Sequence, residues 1–197
     1  MAGDVVIVRT GTANLASVAA ALSRLGMESR LSESPEDVAR AERLVLPGVG
    51  TLAAAMERLY ECDLVESIRE RIASDRPTLA VCLGMQIMCE GSEESPDMRG
   101  LGVVKGKITR FPEEVRVPQL GWNRISSDDG CKYLSDGYAY FANSYRLVDV
   151  PSGWRVAMCD YAGEFVAAME RGSVLACQFH PELSGEFGLG IIKRWLC

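Results

Sequence analysis

Three short apolar runs, each followed by helical spacing, constrain this chain more than any other feature. Residues 4–8 (DVVIV), 43–46 (RLVL) and 78–81 (TLAV) are too short for helices and carry no polar alternation, so each reads as a buried strand. Asn14 caps a helical run in which Leu15, Val18, Ala19, Leu22 and Leu25 share one face. Further helices are expected over 52–60, 64–74 and 83–89. Strands alternating with helices argue for a parallel sheet covered by helices through right-handed crossovers.

The second half follows a different pattern. Residues 102–111, 138–147, 154–161, 164–169 and 174–179 are strand-like. They are separated by turns at Gly106, Asp136-Gly137, Pro151-Ser152-Gly153, Ala162-Gly163 and Arg171-Gly172. Antiparallel hairpins added to the sheet are the expected result, closed by a helix over 185–196. There is no repeat, low-complexity tract or linker, so a single α/β, doubly wound domain over 1–197 is expected.

Composition removes several function classes. With 48% hydrophobic and 24% charged residues, the 197-residue chain has ordinary globular values. Its net charge is −6 and no Lys/Arg cluster exceeds two residues, which argues against a nucleic-acid surface. No apolar run approaches the roughly 18–20 residues of a membrane span. Met1–Asp4 lacks the basic start of a signal peptide, so the cytoplasm is the expected compartment. The seven cysteines are irregularly spaced without a C-x-x-C pair, and there is one histidine, so neither a metal site nor a disulfide framework is expected.

Cys82 is the first candidate for chemistry. It stands where the strand 78–81 meets the helix that starts at Leu83, flanked by the small residues Ala80 and Gly84. A thiol on such an elbow is held exposed, and the helix N-terminus favours its thiolate. A buried core cysteine is the plainer alternative. His180, the lone histidine, shifts that balance, because a cysteine nucleophile needs a base. Glu182 lies two residues on, and in an extended segment the two side chains point the same way, so the carboxylate can orient the imidazole. Pro47-Gly48-Val49-Gly50 follows the strand 43–46. Such a loop, together with the Leu83 N–H, can donate to an oxyanion at the carboxyl ends of the strands.

These motifs resemble the class I glutamine amidotransferases, with their Cys–His–Glu triad, over essentially the whole chain. Leu46–Thr51, Val81–Gln86, Gly91–Ser95, Leu120-Gly121-Trp122-Asn123 and Gln178–Glu182 occur in the family's order, as does Thr10–Leu15 near the start. Within the family the set is similar to the glutaminase subunits of imidazole glycerol phosphate synthases, Gly-Trp-Asn being the most telling motif. The resemblance implies a thioester at Cys82, acid–base work by His180 and orientation of His180 by Glu182. It implies an oxyanion hole from Val49, Gly50 and Leu83, and glutamine contacts from Gln86, Glu94, Ser144 and Tyr145. Asn14, Gln119, Gly121, Trp122 and Asn123 would face a separate (β/α)8-barrel cyclase subunit that receives ammonia. No cofactor and no metal are implied.

Four positions depart from the family pattern. Ala80 replaces a usual Gly, Asn143 a His, Gln119 a His after Pro118, and Leu183 a basic residue. They leave room for a glutaminase that feeds another synthase, for example one making a surface sugar. An inactive binding scaffold is the remaining alternative.

Overall fold

The computed structural model describes residues 5–10 and 14–197. The first half runs β1 (Val5–Val8), α1 (Leu15–Arg24), β2 (Ser29–Ser32), α2 (Pro35–Arg40), β3 (Arg43–Leu46), α3 (Leu52–Glu61), α4 (Leu64–Ala73), β4 (Thr78–Val81) and α5 (Leu83–Met88). The strands β5 (Gly91–Ser92), β6 (Ser95–Arg99), β7 (Lys107–Arg110), β8 (Gln119–Ser127) and β9 (Gly137–Asn143) come next. After them come β10 (Tyr145–Leu147), β11 (Arg155–Asp160), β12 (Glu164–Arg171), β13 (Val174–Cys177), a 3₁₀ turn at Pro181–Leu183 and α6 (Gly185–Leu196).

Among the described residues, nine strands form one sheet in the order β2-β1-β3-β4-β13-β12-β11-β8-β9. The β2-to-β13 side is parallel, and from β13 outward each neighbour is antiparallel. Alternation along each central strand feeds two apolar layers. Val6, Val8, Leu44, Leu46 and Ala80 pack with α2 to α5, while Val5, Ile7, Val45, Leu79 and Val81 pack with α1 and α6. Burial on both faces explains why these strands carry no polar alternation. A second sheet has the strand order β10-β7-β5-β6.

Several expected elements are corrected. The strand over 102–111 shortens to β7, and that over 138–147 breaks at Ser144 into β9 and β10. The strand over 174–179 ends at Cys177. The small sheet pairs β5 and β6, neither of which the sequence announces. β2 is a polar edge strand, and α2 has six residues with only Val38 buried, so neither shows apolar periodicity. In α2 the Ser34 side chain accepts the Asp37 N–H, and Glu36 and Asp37 occupy the first turn. β8 was missed because two of its three apolar side chains lie outward: Leu120 is 59% and Trp122 56% exposed, while Ile125 is buried. Asp4, Gly11, Thr12 and Ala13, which the readings of β1 and of the first motif used, lie outside the described residues.

Candidate active site

Cys82 sits on a strained elbow. Its backbone has φ 53 and ψ −109, a conformation that is costly for a residue with a Cβ, at about 1–3 kcal/mol. Surrounding hydrogen bonds hold it. Cys82 N–H donates to the Cys177 carbonyl at 2.7 Å, and its own carbonyl accepts from Met85 and Gln86. Gly84 makes the turn possible, because a Cβ there would lie 1.9 Å from the Leu46 carbonyl oxygen. Ala80 is fully buried between Leu46 and Ala176 in the sheet, and the elbow forms with alanine at that place.

His180 and Glu182 meet by a different route from the expected one. The chain leaves its extended path at His180 and turns through Pro181–Leu183 in 3₁₀ form, which brings Glu182 Oε1 to 2.8 Å from His180 Nδ1. Both side chains are buried. The turn is fixed by His180 N–H donating to the Tyr140 carbonyl at 2.9 Å and by Ser184 Oγ–H donating to the His180 carbonyl at 2.7 Å. Burial opposes the charged imidazolium. Hydrogen bonds to Cys82 and Glu182, and their negative charges, outweigh it and push His180 up to about 10. In contrast, burial pushes the thiols of Cys89 and Cys159 up to about 12 and that of Cys177 well above its ordinary value. None of those three thiols lines the cavity at Cys82.

That cavity holds about 140 Å³ and is lined by Val49, Gly50, Cys82, Leu83, Gln86, Glu94, Ser144 and Tyr145, together with Ala142 and Asn143. The eight residues named first were singled out in the sequence for the nucleophile, the oxyanion hole or glutamine contact. Four elements deliver them: the loop after β3, the start of α5, the turn between β5 and β6, and the break between β9 and β10. Glu94 Oε2 also accepts the Leu52 N–H at the start of α3. Thr10 Oγ1–H donates to the Pro47 carbonyl at 2.8 Å, which ties β1 to the glycine loop. The Leu83 N–H, expected at the oxyanion, donates instead to the Gly48 carbonyl at 3.4 Å. Gln178 was not singled out. It is fully buried, with Nε2 3.6 Å from Cys82 Sγ. Its signal was its place in the sequence two residues before His180.

The residues expected at a partner face divide. Trp122 and Asn123 lie on the outer strand pair, with Trp122 stacked edge-on against Tyr140 at 6.0 Å. Asn123 Nδ2 donates to the Asp160 carbonyl. Gly121 precedes them at φ 132. Asn14 is exposed and caps α1 by accepting from Ser17 N–H. Gln119 is corrected: it is 3% exposed and points Nε2 at Cys159 Sγ, so its side chain offers no docking surface. Its strand alternation turns it inward while Leu120 turns out. Among the described residues no group of three or more His, Cys, Asp or Glu could hold a metal ion, and no helix is long and apolar enough to cross a membrane.

Comparison with known proteins bears on this arrangement. A family model described as "Glutamine amidotransferase class-I" matches residues 6–196. The chain is 37% identical over 195 residues to "Imidazole glycerol phosphate synthase subunit HisH" of Streptococcus gordonii, covering 96% of this chain and 94% of that one. It is 38% identical over 193 residues to "Imidazole glycerol phosphate synthase hisHF, chloroplastic" of Arabidopsis thaliana, spanning 94% of this chain but only 33% of the plant protein. Among solved structures, one titled "Crystal structure of glutamine amidotransferase" superposes with a TM-score of 0.78 at 20% identity, covering 98% of this chain and 97% of that one, a likeness of fold.

Proposed function

The chain belongs to the class I glutamine amidotransferase family, and from that premise we propose that it is the glutamine-hydrolysing subunit of an imidazole glycerol phosphate synthase in histidine biosynthesis. The observation that carries the reading is the convergence of the Cys82 elbow and the His180–Glu182 pair with a cavity lined by the residues expected to bind glutamine. One glutamine amidotransferase domain spans 1–197, working in the cytoplasm.

In this reading the Cys82 thiolate attacks the side-chain amide carbon of glutamine. Glu182 holds Nδ1 of His180, which leaves Nε2 to exchange protons. Protonated His180 gives its Nε2 proton to the amide nitrogen as the tetrahedral intermediate collapses. Ammonia leaves and a glutamyl thioester remains on Cys82. Neutral His180 then takes a proton from water, whose oxygen attacks the thioester carbon, and glutamate leaves with the thiolate restored. The oxyanion of each tetrahedral state is met by N–H groups of Leu83 and of the Val49–Gly50 loop once Gly48 releases Leu83. Gln86, Glu94, Ser144 and Tyr145 bind the glutamine.

Ammonia passes to a (β/α)8-barrel cyclase subunit in a heterodimer. The outward Leu120 and Trp122, with Asn123 and Asn14, form the docking face. Every proposed step uses side chains, backbone N–H groups and water, with no cofactor. The test is labelling by a chloroketone analogue of glutamine in the presence of the barrel subunit. Modification confined to Cys82, with loss of glutamine-dependent product, is expected. Failure to modify Cys82 under turnover conditions contradicts the reading.

A further inference from the structure

A chain of side-chain amides runs from the nucleophile to the Tyr145 carbonyl. Cys177 of β13 stands opposite Val81 of β4, so the next residues, Gln178 and Cys82, are neighbours across the same parallel pair. Gln86 lies four residues after Cys82, one helical turn along the same face of α5. Gln178 Nε2 donates to Cys82 Sγ at 3.6 Å, and Gln178 Oε1 accepts from Gln86 Nε2 at 2.9 Å. Gln86 Nε2 also donates to the Tyr145 carbonyl at 3.3 Å, which accepts from Asn143 Nδ2 at 3.0 Å as well.

The far end fixes the direction of the whole chain. A backbone carbonyl only accepts, so Gln86 must turn its NH2 group toward Tyr145. That NH2 then meets Gln178, which must offer its oxygen there and so turn its own NH2 toward the sulfur. Neither amide can flip alone without setting like against like in a buried space. Two consequences follow. The sulfur faces a donor, which suits a thiolate better than a thiol. The Gln86 NH2 is committed to protein carbonyls, so Gln86 Oε1, without a partner among the described residues, is what the side chain offers the cavity. An acceptor at that place suits the NH2 of a carboxamide or an ammonium and repels a carboxylate.

We propose that Gln178 is a further catalytic residue: it donates to the Cys82 thiolate and, through Gln86, fixes the hydrogen-bonding polarity that the cavity presents to the substrate. This rests on the glutaminase reading for the substrate but not for the bond to sulfur. It assigns the two ends of the Gln178 amide separate tasks, and two variants separate them. Gln178→Glu keeps the shape and the acceptor for Gln86 but places negative charge beside the sulfur. Gln178→Met fills similar space and keeps neither bond.

The experiment follows alkylation of Cys82 by iodoacetamide, peptide by peptide, from pH 5 to 10, with the barrel subunit present. Loss of one hydrogen bond to a charged acceptor predicts a fall of about 10- to 100-fold in the neutral-pH rate for both variants. Ammonia-dependent synthesis by the complex should stay within about twofold, which reports an intact assembly. The KM for glutamine should rise for Gln178→Met more than for Gln178→Glu, since only the former frees Gln86. Alkylation profiles that coincide with the wild type overturn the proposal. If both variants fail to fold, the wild-type chain still decides. The side-chain amide resonances of Gln178 should shift when Cys82 is alkylated, and unmoved resonances overturn the proposal. A wild-type complex that reacts normally with iodoacetamide yet never hydrolyses glutamine defeats the glutaminase reading and leaves the sulfur contact standing.

Discussion

Tyr140 holds His180 through the main chain: its carbonyl accepts the His180 N–H at 2.9 Å, and its ring meets Trp122 edge-on. The same residue's N–H donates to Ser184 Oγ at 2.9 Å, and that hydroxyl donates to the His180 carbonyl at 2.7 Å. The outer strand β9 is thereby bonded directly to the turn that carries the imidazole. Ser184→Ala removes both hydroxyl bonds in a buried place. Unfolding stability should fall by about 1–3 kcal/mol. The kcat for glutamine should fall more than KM changes, because the turn positions His180 and does not line the cavity. Urea unfolding and glutaminase kinetics of the variant complex check both. Unchanged stability contradicts the count of bonds.

Beside Tyr140 on the neighbouring strand, Trp122 is a large aromatic left 56% exposed. As the centre of the proposed docking face it should behave as a hot spot, and Trp122→Ala should weaken binding of the barrel subunit by about 2 kcal/mol or more, roughly 30-fold. Titration calorimetry measures this. The isolated variant should unfold at nearly the wild-type urea concentration, since little buried contact is lost. Unaltered affinity would move the interface elsewhere.

His180 is the lone histidine, so one imidazole signal reports it. Its pKa is raised from 6.5 to about 10 by Cys82 and Glu182 against the cost of burial. A base whose protonated form the fold favours adds stability in full below its unfolded pKa, near 6.5. That gain is lost as pH rises through its folded value, near 10. Glu182→Gln should lower the NMR titration midpoint. The stability difference between wild type and variant should be largest near pH 6.5 and shrink toward pH 10. A midpoint unmoved by the substitution contradicts the assigned cause.

How legible the site was depends on where each signal lies. The elbow could be read because a buried strand, a thiol and a helix start are contiguous at 78–83, and Gly84 is required by the Leu46 carbonyl. His180 and Glu182 were legible as a pair, but the turn joining them was not, because two residues cannot distinguish an extended strand from a 3₁₀ turn. Gln178 escaped notice since a buried amide draws its meaning from Gln86, distant in the chain. β8 and Gln119 were misjudged for one reason. Where Leu120 and Trp122 turn outward the usual alternation is inverted, so the inward Gln119 passes for a surface residue. The small sheet β10-β7-β5-β6 is built from short, mostly polar strands, and β7 pairs with β5 and β10 from separate parts of the chain, which leaves little local pattern.

The glycine loop after β3 predicts a slow isolated enzyme. Leu83 N–H is engaged by the Gly48 carbonyl, and Gly50 has φ 100, a conformation from which a glycine peptide reorients at low strain. Glutamine hydrolysis should be weak for the chain alone and rise steeply when the barrel subunit and its nucleotide ligand are both added. Gly50→Pro removes one N–H and should blunt that rise. Equal rates with and without the liganded partner would show that the oxyanion donors are already in place.

The most direct test of the account follows the amide nitrogen itself. Glutamine labelled with ¹⁵N in its side-chain amide is supplied to the complex of this chain with the barrel subunit, and the label is sought in the imidazole product. The account predicts ¹⁵N in the product with wild-type Cys82 and none with Cys82→Ser, while both complexes make product from free ammonium at high pH. Label appearing equally with Cys82→Ser, or never appearing with the wild type, would contradict it.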